Sequence, residues 1–140
     1  MKSIVTLVAF SVLALPTRLS GQEPKADLTV TLRDHNFKLT NPVPAGHATW
    51  HVRNEGTEAH QALVIKLPDR VSEFAEKAWL INKRGPEPGA SMGGVPFLKP
   101  GDEAWFTTDL TPGRYLLLCS MQEDEGRHFD LGMIYRFTIE

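Results

Sequence analysis

The stretch that decides the fold is Gly113–Met133, which reads GRYLLLCSMQEDEGRHFDLGM. It includes the run Tyr115–Cys119, which is apolar at odd-numbered and even-numbered positions alike. Such a run predicts a central strand that is covered on both faces. The stretch continues with Cys119, His128 and Met133, whose sulfur and nitrogen atoms are ligands for soft and intermediate metal ions. The stretch thus joins a predicted core strand to a loop that carries candidate metal ligands.

Further strands are predicted on both sides of this run. Apolar and polar residues alternate, as in a strand with one buried face, over Leu28–Arg33, Ala48–Arg53, Ala62–Leu67 and Met133–Glu140. Turn signals, among them Pro100-Gly101 and Pro112-Gly113, separate the strands. Many short strands with regular turns predict an all-β domain, a sandwich or a barrel.

One segment interrupts the strands and predicts a single amphipathic helix over about 70–84. Apolar residues recur there at helical spacing, at Val71, Phe74, Ala75, Ala78 and Trp79. Asp69 is a possible cap, and Gly85 follows the last apolar position. The Gly- and Pro-rich stretch from Gly85 to Pro96 is predicted to lead back to the strands.

Residues 1–21 are predicted to be a secretory signal peptide, and residues 22–140 to form one domain. Lys2 gives a positive start, Ile4–Leu15 is a short apolar run, and Leu19–Gly21 is a small-residue exit. The run is short for a bilayer span, although an uncleaved anchor is the alternative. The protein is therefore expected in the periplasm or secreted, with no membrane span after signal cleavage.

Charge and cysteine content limit the classes of function that fit this chain. The net charge of −2 gives no basic surface for nucleic acid or anionic lipid. Cysteines of exported proteins usually pair, but Cys119 is the only cysteine of the chain. It must pair with another molecule, stay a thiol, or bind a ligand.

A metal site answers the question that the lone cysteine raises. One thiolate, two imidazoles and a distant thioether form the trigonal site that suits electron-transfer copper. Cys119, His128 and Met133 supply three of these donors, and His60, in NEGTEAHQ, is the candidate for the second imidazole. Each candidate also has an alternative role. Cys119 could be a small buried hydrophobe, and His128 a solvated loop histidine. His60 could simply begin a strand, and Met133 could fill a gap in the core.

The remaining histidines and methionines lack this context. His35 and His47 have no neighbouring ligand pattern, and His51 falls on the polar parity of its strand, which predicts exposure to solvent. Met92 and Met121 are alternative sulfur donors, although Met121 lies too near Cys119 in the sequence for an easy axial approach. Asn54 and Gln61 are candidate supports for the imidazoles.

On these residues the chain resembles the cupredoxins, the small blue (type 1) copper proteins that include plastocyanin and azurin. An Asn54-x-Gly56 turn precedes His60, a Gly113-x-Tyr115 strand ends in Cys119, and His128 and then Gly132-Met133 follow. The resemblance implies a Greek-key sandwich with one copper ion bound by His60, Cys119, His128 and Met133. It also implies single-electron transfer with redox partner proteins, and we expect a monomer.

The loop between the last ligands departs from the plastocyanin pattern. Eight residues, Ser120–Arg127, separate Cys119 from His128, and this spacing resembles the type 1 site of copper nitrite reductases. Those enzymes carry a histidine directly before the cysteine, where this chain has Leu118, and they have a second domain. We therefore predict an electron carrier rather than an enzyme.

Two alternatives remain open at this point. The domain could store or deliver copper, or it could bind a partner without any metal. The acidic run Glu123–Glu125 is expected to be a solvated loop, with docking of a basic redox partner as the other interpretation.

Overall fold

The computed structural model describes residue 21, residues 23–70, residues 72, 75, 76 and 78, and residues 89–140. Within these ranges ten strands follow one another along the chain. They are β1 (Leu28–Arg33), β2 (Asn36–Leu39), β3 (Gly46–Asn54), β4 (His60–Lys66), β5 (Ala90–Leu98), β6 (Glu103–Leu110), β7 (Gly113–Leu118), β8 (Gln122–Glu123), β9 (Gly126–Arg127) and β10 (Ile134–Ile139).

The longer strands form two four-stranded sheets. The first has the order β2-β1-β3-β6, with β1 and β3 parallel and the other pairs antiparallel. The second has the order β10-β7-β4-β5 and is antiparallel throughout. Buried apolar residues of both sheets belong to one core, so the sheets pack face to face and the predicted all-β sandwich is confirmed.

The predicted central strand is β7, which lies between β10 and β4. Its alternate residues serve two different hydrophobic clusters. Tyr115, Leu117 and then Cys119 belong to the core between the sheets, whereas Leu116 and Leu118 pack in a smaller cluster with Phe129 among others. Because side chains alternate across a strand, this register places the thiol of Cys119 on the core side.

The Gly- and Pro-rich stretch Gly85–Pro96 leads back to the strands within its own length, because β5 begins at Ala90. Glycine and proline weaken a strand pattern in the sequence, but β5 is the edge of its sheet, where proline is tolerated. Gly94 has a φ of 143°, and a Cβ there would run into the carbonyl of Ala62 on β4. The glycine therefore allows the close approach of two strands.

Two other predictions fall largely on residues that the structure leaves undescribed. The signal peptide at 1–21 lies outside the described residues except for residue 21. Of the helix predicted at about 70–84, only Arg70, Ser72, Ala75, Glu76 and Ala78 are described; the last three are helical, and the Glu76 N–H donates to the Ser72 carbonyl at 3.1 Å. In the part of the chain described, no helix combines the length and apolarity needed to cross a membrane.

Trp50 of β3 is a main element of the core and gives a test of the fold. It is fully buried, its indole N–H donates to the Thr108 hydroxyl at 2.8 Å, and its ring stacks on Phe106. We expect Trp50→Phe to lower the free energy of unfolding by roughly 2 to 4 kcal/mol, because it leaves a cavity and a buried hydroxyl without its donor.

Trp105→Phe is the matched control in urea unfolding. Trp105 pairs in register with His51 and stacks on its ring on the other face of the same strand pair. We expect that substitution to cost less than about 1 kcal/mol. Equal losses for the two variants would contradict this assignment of the core.

Candidate metal centre

Three of the predicted ligands meet in one buried cluster. The Nδ1 atoms of His60 and His128 are 3.0 Å apart, and the sulfur of Cys119 is 3.4 Å from Nδ1 of His128. All three residues have no exposed surface. One donor atom from each lies within 4.8 Å of the other two, close enough for one ion to contact all three.

The strands of the second sheet bring His60 and Cys119 together. His60 is the first residue of β4, and Cys119 follows the last residue of β7. The two strands are antiparallel neighbours with Leu63 opposite Leu118, so the start of one lies beside the end of the other. The pairing of β4 with β7 therefore brings together two residues that lie 59 positions apart in the sequence.

The loop from Ser120 to Arg127 folds back on itself, with residues 122–125 exposed at its tip. Its strands β8 and β9 pair with each other, and the His128 N–H donates to the Met121 carbonyl at 2.9 Å. The Met133 N–H donates to the His128 carbonyl at 2.8 Å, and the Cys119 N–H to the Met133 carbonyl at 3.1 Å. These bonds tie the three residues to one another through their backbones.

Met133 is buried and is joined through its backbone to two of the three cluster residues. It belongs to the same core cluster as Cys119, and its backbone bonds both Cys119 and His128. The alternative sulfur donors Met92 and Met121 are only partly buried and pack against the edge of this cluster. Position and burial therefore favour Met133 over the other two methionines.

Burial sets the protonation of the donors. Desolvation raises the pKa of the Cys119 thiol, although the N–H groups of Met121 and Gln61 act in the opposite direction. Desolvation, together with the neighbouring His60, lowers the pKa of His128. The shift favours the neutral imidazole of His128, which is the form that can bind a metal ion.

The expected supports, Asn54 and Gln61, act on the backbone and the thiol rather than on an imidazole. Asn54 donates to the carbonyls of Glu58 and Leu98 and accepts the Gly56 N–H. The Gln61 N–H donates to the Cys119 sulfur at 3.3 Å. Asn54 therefore fastens the loop before His60, and Gln61 fixes the sulfur.

Asp34 contacts His60 and was missed by the sequence analysis. Its Oδ1 is 3.1 Å from Nε2 of His60, and it accepts the N–H and the hydroxyl of Thr57 at 2.9 and 2.8 Å. Partial desolvation raises the pKa of Asp34, but the bonds from Thr57, His60 and Glu58 outweigh it and lower the pKa to about 2. No motif links residues 34 and 60, so no pattern in one sequence could have shown this contact.

Gly56 makes room for this contact, which gives the Asn54-x-Gly56 turn a physical reason. A Cβ at position 56 would overlap the Asp34 carboxylate and lie 2.9 Å from Nε2 of His60. Any side chain there would separate the two groups.

The outer side of His128 faces acidic groups. Its Nε2 is 3.6 Å from a Glu58 oxygen and 3.9 Å from a Glu123 oxygen. Among the described residues, neither this nitrogen nor that Glu58 oxygen has a hydrogen-bond partner. His35, which the sequence left without a role, packs edge-on against His128 with ring centroids 5.7 Å apart.

The other two histidines lie on the surface of the first sheet. His47 bonds Asp109 at 3.0 Å, and His51 bonds Glu103 at 2.8 Å while stacking on Trp105. His51 is therefore on the outer face, as its parity predicts, but Trp105 covers much of its ring. Two further donor groups in the described chain, His35-Glu58-His128 and Asp34-Glu58-His60, reuse the imidazoles of the buried cluster.

Comparison with known proteins gives matches among solved structures. The chain matches no family model and no curated protein. It is similar to a dithionite-reduced auracyanin from the photosynthetic bacterium Roseiflexus castenholzii, with 20% identity, a TM-score of 0.57, and coverage of 80% of this chain and 94% of that one. For auracyanin B the identity is 20%, the TM-score 0.55, and the coverage 84% and 91%.

Auracyanin A, a blue copper protein from the green thermophilic photosynthetic bacterium Chloroflexus aurantiacus, is similar as well. It is 22% identical with a TM-score of 0.53, and the match covers 80% of this chain and 99% of that chain. The overall fold and the near-complete coverage of these small proteins agree with the resemblance read from the sequence. The chain therefore has the cupredoxin fold, the fold of the blue copper auracyanins.

Proposed function

We propose that this protein is an exported type 1 copper protein that carries single electrons between redox partner proteins. The observation that carries the proposal is the buried cluster of one thiol and two imidazoles, in which one donor atom of each lies within 4.8 Å of the other two. The fold shared with auracyanins supports it. Export rests on the N-terminal pattern of residues 1–21.

The donor set fits copper better than the other common metals. Two imidazoles and one thiolate form the trigonal arrangement of blue copper sites, and a weak axial thioether completes it. His60 and His128 would bind the ion through Nδ1, Cys119 through its sulfur, and the thioether of Met133 would be the weak fourth donor. When bound, the copper ion supplies a one-electron couple between Cu(II) and Cu(I).

The chain contributes rigidity and the exclusion of water. The donors are joined by the β4–β7 pairing and by the backbone bonds of Cys119, His128 and Met133. The Gln61 N–H also restrains the sulfur. A site held in this way changes little between oxidation states, and a dry apolar shell keeps solvent from the ion.

The burial of the three donors also favours electron transfer over catalysis and over copper delivery. A catalytic metal site needs a position open to substrate, whereas His60, Cys119 and His128 have no exposed surface. Delivery of copper requires release of the ion, which burial on all sides slows. Rapid loss of copper to a chelator would therefore point to storage or delivery instead, and a protein that binds no copper would point to metal-free partner binding.

Copper titration of the protein tests the ligand set. We expect the wild-type protein to bind one Cu(II) ion and to turn blue, because the thiolate of Cys119 transfers charge to the metal. Cys119→Ser should lose the colour, because a hydroxyl is a much harder and less easily deprotonated donor. His47→Ala is the matched control, because His47 is an exposed histidine bound to Asp109, and it should keep the full colour. A colourless wild-type protein would contradict the proposal.

Substitution of Met133 tests the axial donor. We expect Met133→Leu to stay blue but to raise the reduction potential, because the lost thioether stabilised Cu(II). The volume of the side chain is nearly unchanged, so the fold should tolerate the exchange. Met121→Leu is the control, because Met121 is partly buried at the edge of the core. Equal potentials for the two variants would rule out Met133 as a ligand.

A further inference from the structure

We propose that Asp34 is a positioning residue for the metal centre, which fixes the tautomer of His60 and lowers the reduction potential of the bound ion. The second half of this inference rests on the proposed copper function. The first half concerns the protein without metal. Both follow from the contact between the Asp34 carboxylate and the outer nitrogen of His60.

The contact decides which nitrogen of His60 carries the proton. Nε2 of His60 lies 3.1 Å from Asp34, and Nδ1 faces the other donors. A neutral imidazole has one N–H, and an ionised carboxylate can only accept a hydrogen bond. The proton therefore resides on Nε2, which leaves the lone pair of Nδ1 directed at the centre before any ion arrives.

The carboxylate of Asp34 is itself held in place. It follows β1 and accepts hydrogen bonds from the Thr57 N–H, the Thr57 hydroxyl and the Glu58 N–H, the last at 3.4 Å. The missing Cβ at Gly56 provides the space for this arrangement. The turn after β1 and the loop before β4 thus lock one carboxylate against a fully buried ring.

The two imidazoles of the centre are not equivalent in this respect. The nearest carboxylate oxygen to Nε2 of His128 belongs to Glu58 at 3.6 Å, which is beyond a hydrogen bond. A hydrogen-bonded carboxylate makes an imidazole a stronger donor, and this favours the more highly charged Cu(II) over Cu(I). Asp34 therefore acts on the bound ion through His60 and lowers its reduction potential.

The tautomer is tested on the copper-free protein by measuring the ring ¹⁵N shifts of His60. We expect wild-type protein and Asp34→Asn to show the proton on Nε2, because the amide oxygen of asparagine can still accept it. Asp34→Ala should show a mixture of both tautomers. A pure Nε2–H form in Asp34→Ala would overturn the first half of the inference, whether or not the protein binds copper.

The potential is tested on the copper-loaded protein. We expect Asp34→Asn to raise the reduction potential more than Glu123→Gln, which removes an equal charge near His128 without a hydrogen bond to a ligand. Asp34→Ala should raise it further and weaken copper binding roughly 10- to 100-fold. Glu55→Ala controls for loosening of the same loop, because it removes surface ion pairs with Arg33 and Arg53 and leaves Asp34 and His60 untouched, and it should bind copper as the wild type does.

Equal shifts for Asp34→Asn and Glu123→Gln would show that only charge matters and would overturn the second half of the inference. Weaker copper binding in Glu55→Ala, to the same degree as in Asp34→Ala, would do so as well, because the effect would then come from the loop. If no variant and no wild-type protein binds copper, the proposed function fails. The ¹⁵N measurement still decides the role of Asp34 toward His60 in that case.

Discussion

The antiparallel pairing of β4 with β7 is the constraint on which the centre depends. It places His60, at the start of one strand, beside Cys119, at the end of the other. The backbone bonds from Cys119 to Met133 and from Met133 to His128 then bring in the remaining donors. These are ladder and loop hydrogen bonds within a packed sandwich, so the fold itself holds the candidate ligands close together.

The surroundings of the cluster differ on its two sides. Toward the interior, Gln61 donates to the sulfur and apolar residues exclude water. Toward the outside, Asp34 bonds His60, while Glu58 and Glu123 lie near His128 beyond hydrogen-bond distance. The same fold thus provides a soft donor set within and negative charge around it, and both favour a bound cation.

Much of the fold was predictable because alternation and apolar runs are local signals. The core strand β7 and the strands β1, β3, β4 and β10 all lie where the sequence predicts them. β5 was missed because Gly93, Gly94 and Pro96 weaken the pattern, and its place at a sheet edge cannot be read from the sequence. The hairpin of β8 and β9 was missed because each strand is only two residues long.

The sequence by itself determined the all-β class and the candidates His60, Cys119, His128 and Met133, because residue type and spacing carry that information. Only the tertiary structure decided that the eight-residue loop returns His128 to the thiol. It alone placed Asp34 against His60 and His35 against His128. These contacts join turns that are distant along the chain, and no local pattern encodes where two such turns will pack against each other.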